Sequence, residues 1–222
     1  MEVIRVIGAK RSYHSGGDII WALKGIDMSI EDGSLTIIKG NSGSGKTTLL
    51  NILGALDLPT EGDVIFNNEP ISRASERRRD MLRRKEIGFV FQSLALISMM
   101  TAYENVEFSL RVSGFPAKEW KNRVETCLSM VGLASRMHHL TQELSGGEQQ
   151  RVAIARAIAH KPKVIFADEP TAELDTNTGL QVVKVLKDLT YQEGVTVVLA
   201  THDPGLMDAA DMLFEMEDGE IV

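Results

Sequence analysis

The sequence predicts an α/β fold organised on a parallel sheet with helices on both faces. Two observations carry that reading. Short apolar runs, LTIIK at 35–39, IGFVF at 87–91, KVIFA at 163–167 and VTVVLA at 195–200, have the length and continuity of strands buried on both sides. Helical stretches lie between such strands: KTTLLNIL at 46–53, stopped by Gly54, and an amphipathic run at 176–192, ending at Gly194. Strands that alternate with helices pair in parallel. Further strands are expected at 64–66 and 212–216, with a short helix at 204–209.

Between 93 and 160 the texture is helical. Thr101-Ala-Tyr-Glu104 and Ser145-Gly-Gly-Glu148 both have the capping-box pattern, in which a hydroxyl caps the helix and a glutamate reaches back. Helices are expected from Thr101 to about Val112, from Ala117 to Val131, and from Ser145 through Ala159, forming a lobe inserted into the sheet. There is no internal repeat and no low-complexity tract.

The 222 residues suit one domain, or one domain with a lobed insert. With 43% hydrophobic and 25% charged residues the chain reads as soluble and globular. Its net charge of −7 argues against a general nucleic-acid binder. The basic cluster between 73 and 85 (Arg73, Arg77, Arg78, Arg79, Arg83, Arg84 and Lys85) has no interleaved aromatics for base stacking and reads as a solvated helix face. Cys127 stands alone, so no internal disulfide can form, and no Cys/His cluster has zinc spacing. No apolar run is long enough to span a bilayer, and residues 1–11 lack a signal-peptide core, so a cytosolic chain is expected.

Gly40-Asn41-Ser42-Gly43-Ser44-Gly45-Lys46-Thr47 matches G-x-x-x-x-G-K-[ST] after a strand and at the start of a helix. The glycines let backbone N–H groups turn toward one centre, and the helix N-terminus adds positive partial charge. Lys46 then reaches β- and γ-phosphates, and the Thr47 hydroxyl meets Mg²⁺. The strand at 163–167 runs into Asp168 and Glu169, and in an open α/β sheet ligands lie off the carboxyl ends of strands. Asp168 is thus expected at Mg²⁺, and Glu169 at an attacking water. His202 follows a further strand, placing it near a γ-phosphate, and Gln92 ends IGFVF, where its amide can bind Mg²⁺ or water.

Leu144-Ser145-Gly146-Gly147-Glu148-Gln149-Gln150-Arg151 resembles the signature of ATP-binding-cassette (ABC) ATPases, and the other motifs fall in that family's order over essentially the whole chain. The resemblance implies a P-loop NTPase (RecA-like) core with a small antiparallel β subdomain and an inserted α-helical subdomain at about 93–160, in one domain spanning 1–222. It implies ATP and Mg²⁺ as ligands, with the loop extending through Thr48. It also implies a head-to-tail dimer in which each ATP lies between one copy's phosphate loop and Ser145, Gly146, Gly147 and Glu148 of the other. Glu169 is then the general base, His202 the γ-phosphate switch, Asp175 a link between the two sites, and Tyr13 the ring that stacks on adenine.

The finer resemblance is to a bacterial branch of macrolide exporters, lipoprotein-releasing ATPases, antimicrobial-peptide exporters and the cell-division ATPase. It rests on Asn51–Asp57, Gly88–Gln92, Thr101–Val106 and Thr201-His-Asp203, with Ser98 and Ala172 as departures from the common proline and glycine. It implies an ATPase subunit at the cytoplasmic face of the membrane, working on a separate permease in export or mechanotransmission. An importer ATPase, or a soluble non-transport ABC ATPase, are the alternatives. The apolar run Leu94–Met100 is read either as lobe core or as a groove for a permease helix.

Overall fold

Two sheets of different character divide the strands. The computed structural model describes residues 1–222, apart from the side chain of Ser15. The first sheet is antiparallel, in the order β2 (Asp18–Glu31), β1 (Glu2–Ser15), β4 (Glu61–Phe66), β5 (Glu69–Pro70). The second runs β10 (Glu220–Ile221), β9 (Met212–Glu217), β3 (Leu35–Gly40), β8 (Thr196–Thr201), β7 (Val164–Asp168), β6 (Ile87–Val90). Its strands from β9 to β6 are parallel, and β10 adds antiparallel at the edge.

Helices cover both faces of the parallel sheet, as the alternating runs predict. Successive residues of β3, β7 and β8 point to opposite sides. Ile38, Phe166 and Val198 join the core that contains α1 (Lys46–Leu53) and the antiparallel sheet. Ile37, Ile165 and Leu199 join the core that contains α5 (Gly146–Ile158) and α6 (Thr176–Glu193). Helix α1 therefore lies between the two sheets, with Leu49, Leu50, Ile52 and Leu53 buried. Helices α3 (Ala102–Ser113) and α4 (Trp120–Met130) lie between β6 and β7 in sequence and share the second core, so the lobe is continuous with the sheet's hydrophobic layer. Cys127 is buried there, and burial pushes its thiol up to about 11, as expected of a packing residue.

Several expectations shift. The helix expected from Ala117 begins as a single 3₁₀ turn at Ala117–Glu119 before α4, and the segment at Pro204–Ala209 is 3₁₀ rather than α. β6 ends at Val90, so Gln92 lies two residues beyond its strand. All of the basic cluster except Arg73 lies on α2 (Glu76–Lys85), in which only Leu82 is buried. Arg79 and Arg83 pair with Glu76, Arg84 with Asp80, and Arg78 with Glu69.

Gly54 closes α1 directly against an aromatic ring. A Cβ at that position would lie 2.1 Å from Cζ of Phe89. Gly54→Ala is expected to cost about 1–3 kcal/mol by overpacking. Denaturant unfolding of Gly54→Ala, alone and with Phe89→Leu, checks this: the second substitution should return part of the loss, and additive losses would contradict the tight contact.

Candidate active site

The connection from β3 to α1 is built for close backbone approach. Gly43 and Gly45 take the left-handed φ values 83° and 102°. A Cβ on Gly45 would lie 2.6 Å from the Ala22 carbonyl oxygen. No side chain caps α1, so its first-turn N–H groups are left for a ligand. Lys46, only 5% exposed, donates from Nζ to the carbonyls of Gly40 at 2.8 Å and Asn41 at 3.0 Å. Ser44 bonds through its N–H to Asn41 and through its carbonyl to Gly219, pinning the loop to the β9–β10 turn.

The carboxyl ends of β7 and β8 meet this loop. Glu169 takes a left-handed φ of 47° and donates its N–H to the Ala200 carbonyl at 2.9 Å. That conformation costs of order 1–3 kcal/mol in a non-glycine residue. Its carboxylate lies between two groups: Oε1 is 3.4 Å from Lys46 Nζ and Oε2 is 2.9 Å from His202 Nδ1. These residues line a cavity of about 320 Å³ together with Ala22, Ser42, Gly43, Gly45, Thr47, Thr48, Gln92 and Ala172. Ala172 is accommodated because its backbone is not left-handed, so nothing there demands the commoner glycine.

Asp168 ends β7 with Oδ1 buried and without a hydrogen-bond partner. Burial holds its carboxyl above the ordinary aspartate value; the Thr47 hydroxyl and Lys46 pull the other way, while the Glu169 charge adds to the rise. An orphaned carboxylate oxygen beside a hydroxyl is a partial oxygen ligand set that a hard divalent cation would complete. Among the described residues no cluster of three His, Cys, Asp or Glu could hold a metal. Mg²⁺ suits that arrangement, because it takes one or two protein oxygens and fills the rest from water and phosphate.

Ser145, Gly146, Gly147 and Glu148 lie elsewhere. Ser145 caps α5: its Oγ accepts from the Glu148 N–H at 3.3 Å, and Glu148 accepts from the Ser145 N–H at 2.9 Å. That backbone bond holds the Glu148 carboxyl below the usual range. Asp175 caps α6, accepting from the Asn177 and Thr178 N–H groups at 3.1 Å and from the Thr178 hydroxyl at 2.6 Å. The two caps share a cleft of about 450 Å³ with Arg151, Glu173, Leu174, Thr178 and Gln181. This cleft has no lining residue in common with the phosphate-loop cavity.

Tyr13 lines neither space. Its hydroxyl donates to Asp57 at 3.1 Å, and Arg11 lies over its ring at 4.7 Å, leaving the residue 40% exposed. Sequence reasoning missed Ala22, which tertiary approach alone brings in, and Leu174 and Thr178, which flank the Asp175 cap in sequence but are set against the signature turn only by the fold. Thr178 shows this best: a Cβ on Gly147 would meet its Cγ2 at 2.3 Å. Gly147→Ala is therefore expected to cost about 1–3 kcal/mol. Thr178→Ser removes the methyl and keeps the hydroxyl bond to Asp175, so it should restore most of the loss in the double variant. Thermal unfolding of the three variants checks this, and no restoration would contradict the contact.

Residues 23–172 match the ABC transporter family. The lipoprotein-releasing system ATP-binding protein LolD of Syntrophus aciditrophicus is 42% identical over 99% of this chain and 99% of its own length. The macrolide export ATP-binding/permease protein MacB of Wolinella succinogenes is 44% identical over 99% of this chain, which spans 34% of that longer protein. Among solved structures, an ATP-binding cassette of Methanocaldococcus jannaschii, dimeric and in a post-hydrolysis state bound to ADP and Pi, is similar with a TM-score of 0.89 at 40% identity, covering 98% of this chain and 96% of that one. The chain belongs to the ABC transporter family, as one of its ATPase cassettes.

Proposed function

We propose that this chain is the ATP-hydrolysing subunit of an export-type or mechanotransmitting transporter, acting as a head-to-tail dimer on the cytoplasmic face of a separate membrane permease. The observation that carries the dimer is the separation of the two anion-binding ends. The phosphate loop opens α1 into one cavity, and the signature opens α5 into another with no shared lining residue. A second copy turned head to tail brings a signature to each phosphate loop. The likeness to the lipoprotein-releasing and macrolide-export proteins supports the export side of the reading.

Backbone N–H groups from Ser42 to Thr48 and the Lys46 ammonium receive the β- and γ-phosphates. Thr47, Asp168 and Gln92 would hold Mg²⁺, which when bound neutralises charge on the phosphate oxygens. As the γ-phosphate takes up Lys46, Glu169 Oε1 loses its ion-pair partner and is left to accept the proton of an attacking water. His202, held at 2.9 Å by the other carboxylate oxygen, is placed beside the γ-phosphate. Tyr13 offers adenine the ring face opposite Arg11, and the Asp175 cap carries the state of the signature cleft toward the partner.

Permease docking is assigned to an apolar groove of about 420 Å³, whose lining includes Phe89, Phe91, Phe108 and Val112. Ala95 and Ile97 contribute from the run singled out in the sequence. Leu94 and Leu96 pack on the core, while Met99 is 83% exposed and lies outside the groove. Part of that run is thus core and part is groove. No helix is long and apolar enough to cross a membrane among the described residues, so the reading needs a permease chain or segment beyond them.

Glu169→Gln tests this directly. Hydrolysis should fall by about 10²-fold or more, the usual contribution of a general base. Sedimentation with saturating ATP and Mg²⁺ should show a stable dimer, and the tagged variant should retain an integral membrane protein from detergent-solubilised membranes. A persistent monomer would contradict the shared site, and recovery of soluble partners alone would contradict the transport role.

A further inference from the structure

Arg156 is a half-buried cation outside the site described above. It lies on α5, about 16 Å along the helix from the Ser145 cap. Among the described residues no carboxylate lies within ion-pair distance of it, whereas Arg123 on the neighbouring α4 pairs with Glu193 at 3.0 Å. Burial pushes the Arg156 guanidinium down, and no acid pulls it back. Its two terminal nitrogens instead donate to consecutive backbone carbonyls, to Leu94 at 2.7 Å and to Ala95. Those two residues are left-handed, with φ values of 59° and 48°, although neither is glycine. They follow Gln92 by two and three positions, and the turn is otherwise closed by the Leu94 N–H to Phe91 and the Ala95 N–H to Ser93. Asn105 pins the next stretch, accepting from the Ile97 N–H and donating to the Ile97 and Thr101 carbonyls.

A half-buried charge without a counter-ion is unfavourable, and so are two adjacent left-handed side-chain-bearing residues. The two features meet at one place, and each accounts for the other. The guanidinium fork matches two adjacent carbonyls, which this left-handed turn presents side by side. We propose that Arg156 is a positioning residue for Gln92: by gripping the Leu94 and Ala95 carbonyls it fixes the turn that carries the Gln92 amide into the phosphate-loop cavity, and so ties that amide to the helix that bears the signature. The role rests on the proposed ATPase reading, in which Gln92 acts on Mg²⁺ or the attacking water. Arg156 also lines the apolar groove, so an occupant of the groove would touch the same link.

The test compares Arg156→Gln, Arg156→Lys, Gln92→Ala and Arg156→Gln/Ala95→Gly in the full chain. It reads kcat and KM for ATP, the affinity for a fluorescent ATP analogue with and without Mg²⁺, and the unfolding temperature. Misplacing a positioned group should lower kcat of Arg156→Gln by about tenfold, as in Gln92→Ala, with Mg²⁺-free analogue affinity within about twofold of wild type. Lysine, which keeps the charge but grips fewer carbonyls, should fall between. Glycine at 95 takes the left-handed conformation freely and should return part of the lost kcat. If Arg156→Gln is too unstable to assay, the lysine variant alone and with Ala95→Gly carries the same comparison. Wild-type kcat in Arg156→Gln beside a slow Gln92→Ala would overturn the proposal, as would a loss of kcat that follows the unfolding temperature and ignores glycine at 95. A Gln92→Ala chain as fast as wild type would instead remove Gln92 from the proposed site, and the positioning role with it.

Discussion

Lys46 carries a full positive charge where the residue is 5% exposed, and what holds that charge sets the rest of the site. Two carbonyls of its own loop, Gly40 and Asn41, and one carboxylate, Glu169, stand where water would otherwise be. Holding the carbonyls requires the tight turn of the glycine loop. Bringing the carboxylate requires β7 beside β8, with Glu169 bent off the strand end in a left-handed conformation. The cost of that strain and of the buried charge falls on the surrounding core, which encloses α1 between two sheets. In the proposed ATPase, a ligand with the charge of a triphosphate would offer Lys46 stronger partners and release Glu169 from the ion pair.

Packing likewise keeps the phosphate loop and the signature turn in separate cavities of one chain. The phosphate loop lies at the ends of the central strands, where topology permits a ligand. The signature helix is committed elsewhere: its body belongs to the lobe core, and its first turn packs against α6 so closely that Gly147 touches the Thr178 methyl. Moving Ser145 onto the phosphate loop of the same chain would break that packing. In the proposed head-to-tail dimer a second copy would supply the missing half without disturbing either core.

Much of this was legible in the sequence because it is local. The range of α1, the Thr101 and Ser145 capping boxes, and the strand ends carrying Asp168–Glu169 and His202 depend on residues within a few positions of one another. The β1–β2 hairpin was not legible. Its register shifts near Glu2/Ile4, Val6/Ala9 and Arg11/Ser12 break the period-two pattern that would mark two fourteen-residue strands. The 3₁₀ turns at 117 and 204 differ from α-helix by one hydrogen-bond register, which composition does not encode. The groove was legible only in part: the run Leu94–Met100 pointed to it through Ala95 and Ile97, but not to its walls. The conspicuous methionine, Met99, faces solvent, while the aromatic walls come from β6, the residue just after it, and α3, which meet only in the folded chain.

In the proposed dimer a working site needs two chains, so two inactive variants should complement each other. Lys46→Ala should disable the phosphate loop, and Ser145→Arg should block the signature. Mixed dimers would contain one site with both defects and one with neither. Each variant alone should be inactive, and an equimolar mixture should recover ATP hydrolysis, to roughly a quarter of the wild-type rate if pairing is random and the sites act independently. Inactivity of the mixture, with mixed dimers demonstrably present, would contradict the two-chain site.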